Sequence, residues 1–174
     1  MSAPSAPQPA AARRGPALAL VLATWFGAGW SPKAPGTVGS LASLVLWAPL
    51  VMLETPWWLR VLVTLVVFVI GTLAAHAIVK AGGGEDPQII VIDEVAGMGV
   101  TLACASATWL SLAAGFALFR LFDIWKPWPV RLADRNIKGG FGVMFDDVLA
   151  GICALACLGL LERFMFPLLP WNVT

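Results

Sequence analysis

IIVIDEVAGMGVTLACASATWLSLAAGFALFRLFD, residues 89–123, is the stretch whose reading decides the fold. It is apolar almost throughout, with Asp93-Glu94 near one end and Arg120 and Asp123 at the other. Residues 95–122 suit either one long helix or two shorter helices turning near Ala105-Ser106-Ala107-Thr108. One helix would send Asp93-Glu94 and Asp123 to opposite sides of a membrane; a hairpin returns them to the same side. Charge placement favours the hairpin. It gathers Arg13, Arg14, Lys33, Lys80, Arg120, Lys126, Arg131, Arg135 and Lys138 on one side and leaves only Arg60 and Arg163 on the other. The acids divide the same way: Glu85, Asp86, Asp93, Glu94, Asp123, Asp134, Asp146 and Asp147 against Glu54 and Glu162. Basic loops favour the cytoplasmic face, so the polar side is expected there. Each hairpin arm is short for a full crossing, which calls for local thinning or a re-entrant path buried in protein.

The rest of the chain supports a membrane setting. Apolar residues make up 59% of the 174 and charged residues only 12%, about half the level of soluble domains. The apolar residues come in long runs rather than in amphipathic stripes. Further spans are expected at about 38–53, 58–79 and 148–166. At ~1.5 Å per residue, the longest of these crosses a ~30 Å core. Trp57, Trp58, Trp109, Trp125, Trp128 and Trp171 lie near the ends of apolar runs, as in an interfacial aromatic belt. The reading is an all-α integral membrane protein with about four to five transmembrane or re-entrant helices and a polar site on the cytoplasmic face. Residues 1–15 form a disordered tail of mostly Ala, Pro and Ser, and 16–170 a single membrane-embedded domain. The apolar stretch 17–26 reads as an interfacial helix rather than a cleaved signal. The formal net charge of +1, with no basic stripe, excludes nucleic acid as a partner.

Cys104, Cys153 and Cys157 lie inside apolar runs and read as small buried hydrophobes, not as a disulfide framework or a metal set. Cys157 and Arg163 have the spacing of a cysteine phosphatase loop. The residues between them are helical in character and offer no nest of backbone N–H groups for a phosphate. His76 also sits in an apolar run and reads as structural.

The acids carry the chemistry. Asp93 and Glu94 open an apolar helix, where unpaired charges are costly and adjacent carboxylates repel unless a cation sits beside them. The bland alternative is a pair of acids favoured by the helix dipole. Asp146-Asp147 repeat the arrangement after Gly139-Gly-Phe-Gly142, where Asp also serves as a natural N-cap. Asp123 ends the second arm. Acids from three helix ends at one depth form an all-oxygen donor set, with no His or Cys cluster. That set points to Mg²⁺ or Mn²⁺ rather than zinc. Arg120, Lys126, Arg131, Arg135 and Lys138 supply positive charge for phosphate. The segment Pro35-Gly-Thr-Val-Gly-Ser40 leads into a helix N-terminus, where the amides of Gly36 and Thr37 would suit an anion.

These residues resemble a known family. Gly27-Ala-Gly-Trp-Ser-Pro-Lys-Ala-Pro-Gly-Thr-Val-Gly-Ser40, Ile92-Asp-Glu-Val-Ala-Gly-Met98, Phe119-Arg-Leu-Phe-Asp-Ile-Trp-Lys-Pro-Trp-Pro-Val-Arg131 and Asp134-Arg-Asn-Ile-Lys-Gly-Gly-Phe-Gly-Val-Met-Phe-Asp-Asp-Val-Leu-Ala-Gly151 resemble the phosphatidylglycerophosphatase A family, in register over about residues 20–155. The resemblance implies a multi-pass, Mg²⁺-dependent phosphatase of the bacterial inner membrane that converts phosphatidylglycerophosphate to phosphatidylglycerol in phospholipid biosynthesis. Its partner would be the phospholipid substrate in the bilayer. On this reading Asp93, Glu94, Asp123, Asp146 and Asp147 hold the metal. Asp93, Glu94, Asp123 and Asp147 act in catalysis, and Gly36, Thr37, Arg120, Lys126 and Arg135 bind phosphate. Attack by water and an aspartyl-phosphate intermediate both remain open. A membrane carrier that uses the acids for ion or proton coupling is the rival function.

Overall fold

A computed structural model describes residues 15–83, 87–128, 130–132, 137 and 139–168. The described residues are helical and contain no strand. In order, they form α1 (Ala17–Ala23), α2 (Pro35–Met52), α3 (Trp57–Ile78), α4 (Ile92–Thr101), α5 (Trp109–Trp125) and α6 (Gly139–Leu160). Three helical stretches are long and apolar enough to cross a membrane: Pro35–Met52, Trp57–Gly82 and Gly139–Leu168.

Local chemistry sets the ends. Pro35 takes the first position of α2, where its missing N–H is harmless and its fixed φ suits the helix. Glu54, in the left-handed region at φ 52°, and Pro56 separate α2 from α3. The Thr108 hydroxyl accepts from the Ser111 amide at 3.0 Å and caps α5. Lys126 closes α5 in the left-handed conformation and Pro127 follows it.

The stretch 89–123 is two helices. Its turn spans residues 102–108, where the Ala105-Ser106-Ala107-Thr108 signal lies. In a low-dielectric surrounding the turn's backbone groups need partners from within the protein. Arg60 of α3 is buried and donates to the carbonyls of Ala105 at 2.8 Å and Leu102 at 3.4 Å. The Glu162 carboxylate accepts from the Ser106 amide at 2.9 Å. Two of the four charges assigned to the sparse side therefore latch the tip of the hairpin.

α4 is the centre of the molecule. At ten residues it is ~15 Å long, half of a ~30 Å core. Eight of its residues are buried, because α2, α3, α5 and α6 all pack against it. Glycine makes that approach possible. A Cβ on Gly97 would collide with Phe119 of α5 and the Asp147 carbonyl of α6, and one on Gly99 with the Trp47 ring of α2. The fully buried Trp47 places its Nε1 2.9 Å from the Val95 carbonyl and donates to it, tying α2 to the first turns of α4. The Val91 amide donates to the Ala23 carbonyl at 2.8 Å and joins the end of α1 to the start of α4.

Two sequence boundaries need correction. The last span begins at Gly139, not at about 148, and α5 runs on to Trp125, past the Asp123 expected to end the second arm. Glycines 139, 140 and 142 read as loop formers, yet all three belong to the helix, and Gly140 and Gly142 are closely packed. A Cβ on Gly140 would strike the backbone of Thr72 and His76 on α3, and one on Gly142 the carbonyl of Ile137. Asp146 and Asp147 consequently lie two turns inside α6 and are not its N-cap.

Candidate active site

The start of α4, the end of α5, the second turn of α6 and the N-terminus of α2 meet around one cavity of about 740 Å³. That is within the ordinary range for a ligand site. Asp93, Glu94, Asp123, Asp146 and Asp147 all line it, together with Arg120, Lys126 and Gly36. The structure therefore brings these residues together at one end of the molecule. Thr37 lies on the first turn of α2 but does not line the cavity. Arg135 falls outside the described residues, as do Asp134 and Lys138.

The five acids divide into two kinds. Asp93, Glu94 and Asp147 form a nest in which one carboxylate oxygen from each lies within 4.8 Å of the others. Asp93 and Glu94 occupy the first turn of α4, where the helix dipole favours negative charge, and an Asp93 oxygen accepts from the Glu94 amide at 3.1 Å. Asp147 reaches the nest because α6 lies directly on α4: a Cβ on Gly151 would meet the Gly97 carbonyl at 2.5 Å. Glu94 and Asp147 are both buried, and their Oε2 and Oδ2 atoms have no protein hydrogen-bond partner. A buried acceptor left in that state costs ~1–3 kcal/mol, and more when charged. Burial pushes the Glu94 pKa up to about 8; the hydrogen bond with Asp93 opposes this, the charges of Asp147 and Asp123 add to it, and Arg120 lowers it. Glu94 lies outside the three long spans.

Asp123 and Asp146 are engaged by basic side chains. Arg120 Nη1 donates to Asp123 Oδ2 at 2.5 Å, one turn along α5. The same nitrogen lies 4.0 Å from Glu94 Oε1 and 3.5 Å from the Ser40 hydroxyl of α2. Lys126 Nζ pairs with Asp146 Oδ2 at 2.6 Å. Cations thus flank the nest on the α5 side, with Arg120 reaching as far as Glu94.

The three-acid nest fits a hard divalent cation. Oxygen ligands at ~2.0–2.6 Å from such an ion lie up to ~5 Å apart across it. Two buried, unpartnered oxygens are the donors that such an ion would satisfy. The α2 terminus completes the site. Ala34, the residue before α2, has left-handed φ 47° and offers no side-chain cap, so first-turn amides remain available to an anion. Gly36 leaves room for these side chains, since a Cβ there would displace the Glu94 carboxylate and sit 3.2 Å from Arg120 Nη1.

Sequence reasoning missed Ser40 and Gln88. Ser40 donates to the Gly36 carbonyl at 2.8 Å and stands beside Arg120; Gln88 lines the cavity. Taking residues 35–40 as helix instead of loop would have put Gly36 and Ser40 on one face, four residues apart. No comparable pattern marks Gln88.

The phosphatidylglycerophosphatase A family model matches residues 21–162. A phosphatidylglycerophosphatase A of Escherichia coli K12 is 45% identical over 139 residues, covering 79% of this chain and 80% of that protein. A protein of Bacteroides thetaiotaomicron named putative phosphatidylinositol-3-phosphatase is 43% identical over 143 residues, covering 78% and 87%. A phosphatidylglycerophosphatase A of Haemophilus influenzae is 38% identical over 146 residues, covering 83% and 89%. No solved structure matches the chain. The family match spans the hairpin, the acid nest and both basic pairs, and the chain belongs to the phosphatidylglycerophosphatase A family.

Proposed function

We propose that this protein hydrolyses phosphatidylglycerophosphate to phosphatidylglycerol and inorganic phosphate, with Mg²⁺, at the cytoplasmic face of a bacterial inner membrane. The observation that carries this reading is the nest of Asp93, Glu94 and Asp147, with its buried unpartnered oxygens, beside Arg120 and the α2 terminus. The names of the relatives supply the substrate. The α4–α5 hairpin is read as re-entrant, so that both its ends face the cytoplasm.

Asp93, Glu94 and Asp147 would hold the cation. When bound, Mg²⁺ supplies Lewis-acid charge at the phosphate. Arg120 approaches the transferred phosphoryl group from the α5 side and neutralises charge as it develops. Asp123 fixes the Arg120 guanidinium so that its remaining N–H groups stay aimed into the cavity. The α2 amides at Gly36 bind a phosphate oxygen. The water oxygen bonds to phosphorus as a cavity carboxylate takes its proton, the phosphorus–oxygen bond to glycerol breaks, and that proton passes to the departing glycerol oxygen. Phosphate leaves to the aqueous side, and phosphatidylglycerol stays in the bilayer.

Phosphate release from phosphatidylglycerophosphate in mixed micelles, with Mg²⁺ and then with chelator, tests the reading. Release that depends on the metal supports it. A folded protein that releases none returns attention to the carrier reading. The relative named for an inositol lipid favours a second substrate, a phosphoinositide monoester, and the same assay run on phosphatidylinositol 3-phosphate decides it.

A further inference from the structure

We propose that Lys126 is a specificity-determining residue that binds the phosphodiester of the lipid, while Arg120 and the acid nest take the terminal phosphomonoester. The proposal rests on the lipid-phosphatase reading and assigns the substrate's two phosphates to two separate cations.

The two cations differ in depth. Arg120 is 15% exposed and touches Asp123, Glu94 and Ser40, which places it against the nest. Lys126 is 29% exposed, stands at the end of α5, and pairs with Asp146 outside the nest. Six residues separate them, about 9 Å of helix rise, yet both line the same cavity. A substrate with two phosphates joined through glycerol presents two anions to this arrangement, one deep and one shallow.

Lys126 also stands at the right level for the shallow anion. Ile124, Trp125 and Trp128 around it are exposed large apolar side chains. Exposed tryptophans mark the membrane–water boundary, where the phosphodiester of a bilayer lipid lies. The terminal phosphate of that lipid must then fold inward to reach the nest.

The backbone at Lys126 adds an independent argument. The residue caps α5 in the left-handed conformation, φ 44°, which disfavours a side chain and suits glycine. The lysine held there has its ammonium fixed by Asp146 at 2.6 Å. Ion pairing with Asp146 orients the ammonium, and a phosphodiester oxygen can join the same nitrogen, which has three donors.

Lys126→Gly tests this cleanly because glycine fits the left-handed cap. Its melting temperature is expected to stay near that of the wild type, because the relaxed cap offsets the lost pair with Asp146. KM for phosphatidylglycerophosphate rises tenfold or more, kcat stays within twofold, and the inhibition constant of inorganic phosphate stays within twofold. Lys126→Arg restores KM. A parallel rise in the phosphate inhibition constant would overturn the proposal, since Lys126 would then touch the transferred group. So would a fall in kcat at constant KM, or an unchanged KM. If Lys126→Gly melts lower, Lys126→Gln carries the same comparison. A wild-type protein that releases no phosphate from this lipid refutes the underlying reading instead.

Discussion

A Cβ added to Gly97 of α4 would sit 2.8 Å from the backbone carbonyl of Asp147 on α6. The hydrogen in place of a methyl group is what lets α6 lie against α4, and that contact brings the Asp147 carboxylate to Glu94 and Asp93. The geometry of the acid nest therefore rests on a packing contact three residues along α4 from Glu94.

Gly97→Ala is predicted to cost about 1–3 kcal/mol, as overpacked cores do, and to lower activity by spreading the nest. Gly159→Ala is the control. A Cβ there meets nothing within 4 Å, and alanine favours the helix by up to ~1 kcal/mol. Thermal melts of the two variants in one detergent should move in opposite directions.

Arg60→Met should destabilise the protein by several kcal/mol. It removes the donor to the Ala105 and Leu102 carbonyls, and each buried acceptor left alone costs ~1–3 kcal/mol. Glu162→Gln, whose bond to Ser106 is exposed, should cost under ~1 kcal/mol. Equal effects in a denaturation series would show that the hairpin tip is held by something other than Arg60.

Much of this was readable from the chain. The two sides of the molecule could be drawn from charges alone, because a hairpin was the only path that kept Asp93, Glu94 and Asp123 together. The beginnings of α2 and α3 fell within a few residues of Pro35 and Trp57, where prolines mark the breaks. The start of α6 was hidden because Gly139, Gly140 and Gly142 signal a loop by composition, and only the closeness of Gly140 to α3 and of Gly142 to Ile137 explains those two as helix. The division of the acids was also hidden. Whether Asp123 faces a metal or Arg120 depends on side-chain neighbours across helices, which spacing along the chain does not encode.

Stability in chelator should depend on pH. Glu94 has an ordinary value of 4.5 and is pushed up to about 8 in the folded state. The folded protein then binds the extra proton between those values, so its stability falls as pH rises through that window. The melting temperature in chelator is predicted to drop from pH 5 to pH 8, and Glu94→Gln should flatten the slope. An unchanged slope in that variant would assign the effect to another group.

Arg120→Lys should lower kcat by roughly 10²–10³, the usual cost of one lost donor to a charged transition state. Lysine keeps the charge but not the fork that serves Asp123 and the phosphate together. Steady-state kinetics that show only a raised KM would move Arg120 out of the reacting centre.

The most direct test is Mg²⁺ dependence of phosphate release from phosphatidylglycerophosphate, measured for the wild type and for Asp147→Asn at matched folded concentration. Wild-type release that saturates with Mg²⁺ and falls at least about 100-fold in the variant, with a weaker Mg²⁺ dependence, is the predicted result. Asp147→Asn that keeps wild-type release and Mg²⁺ dependence would contradict the three-carboxylate centre.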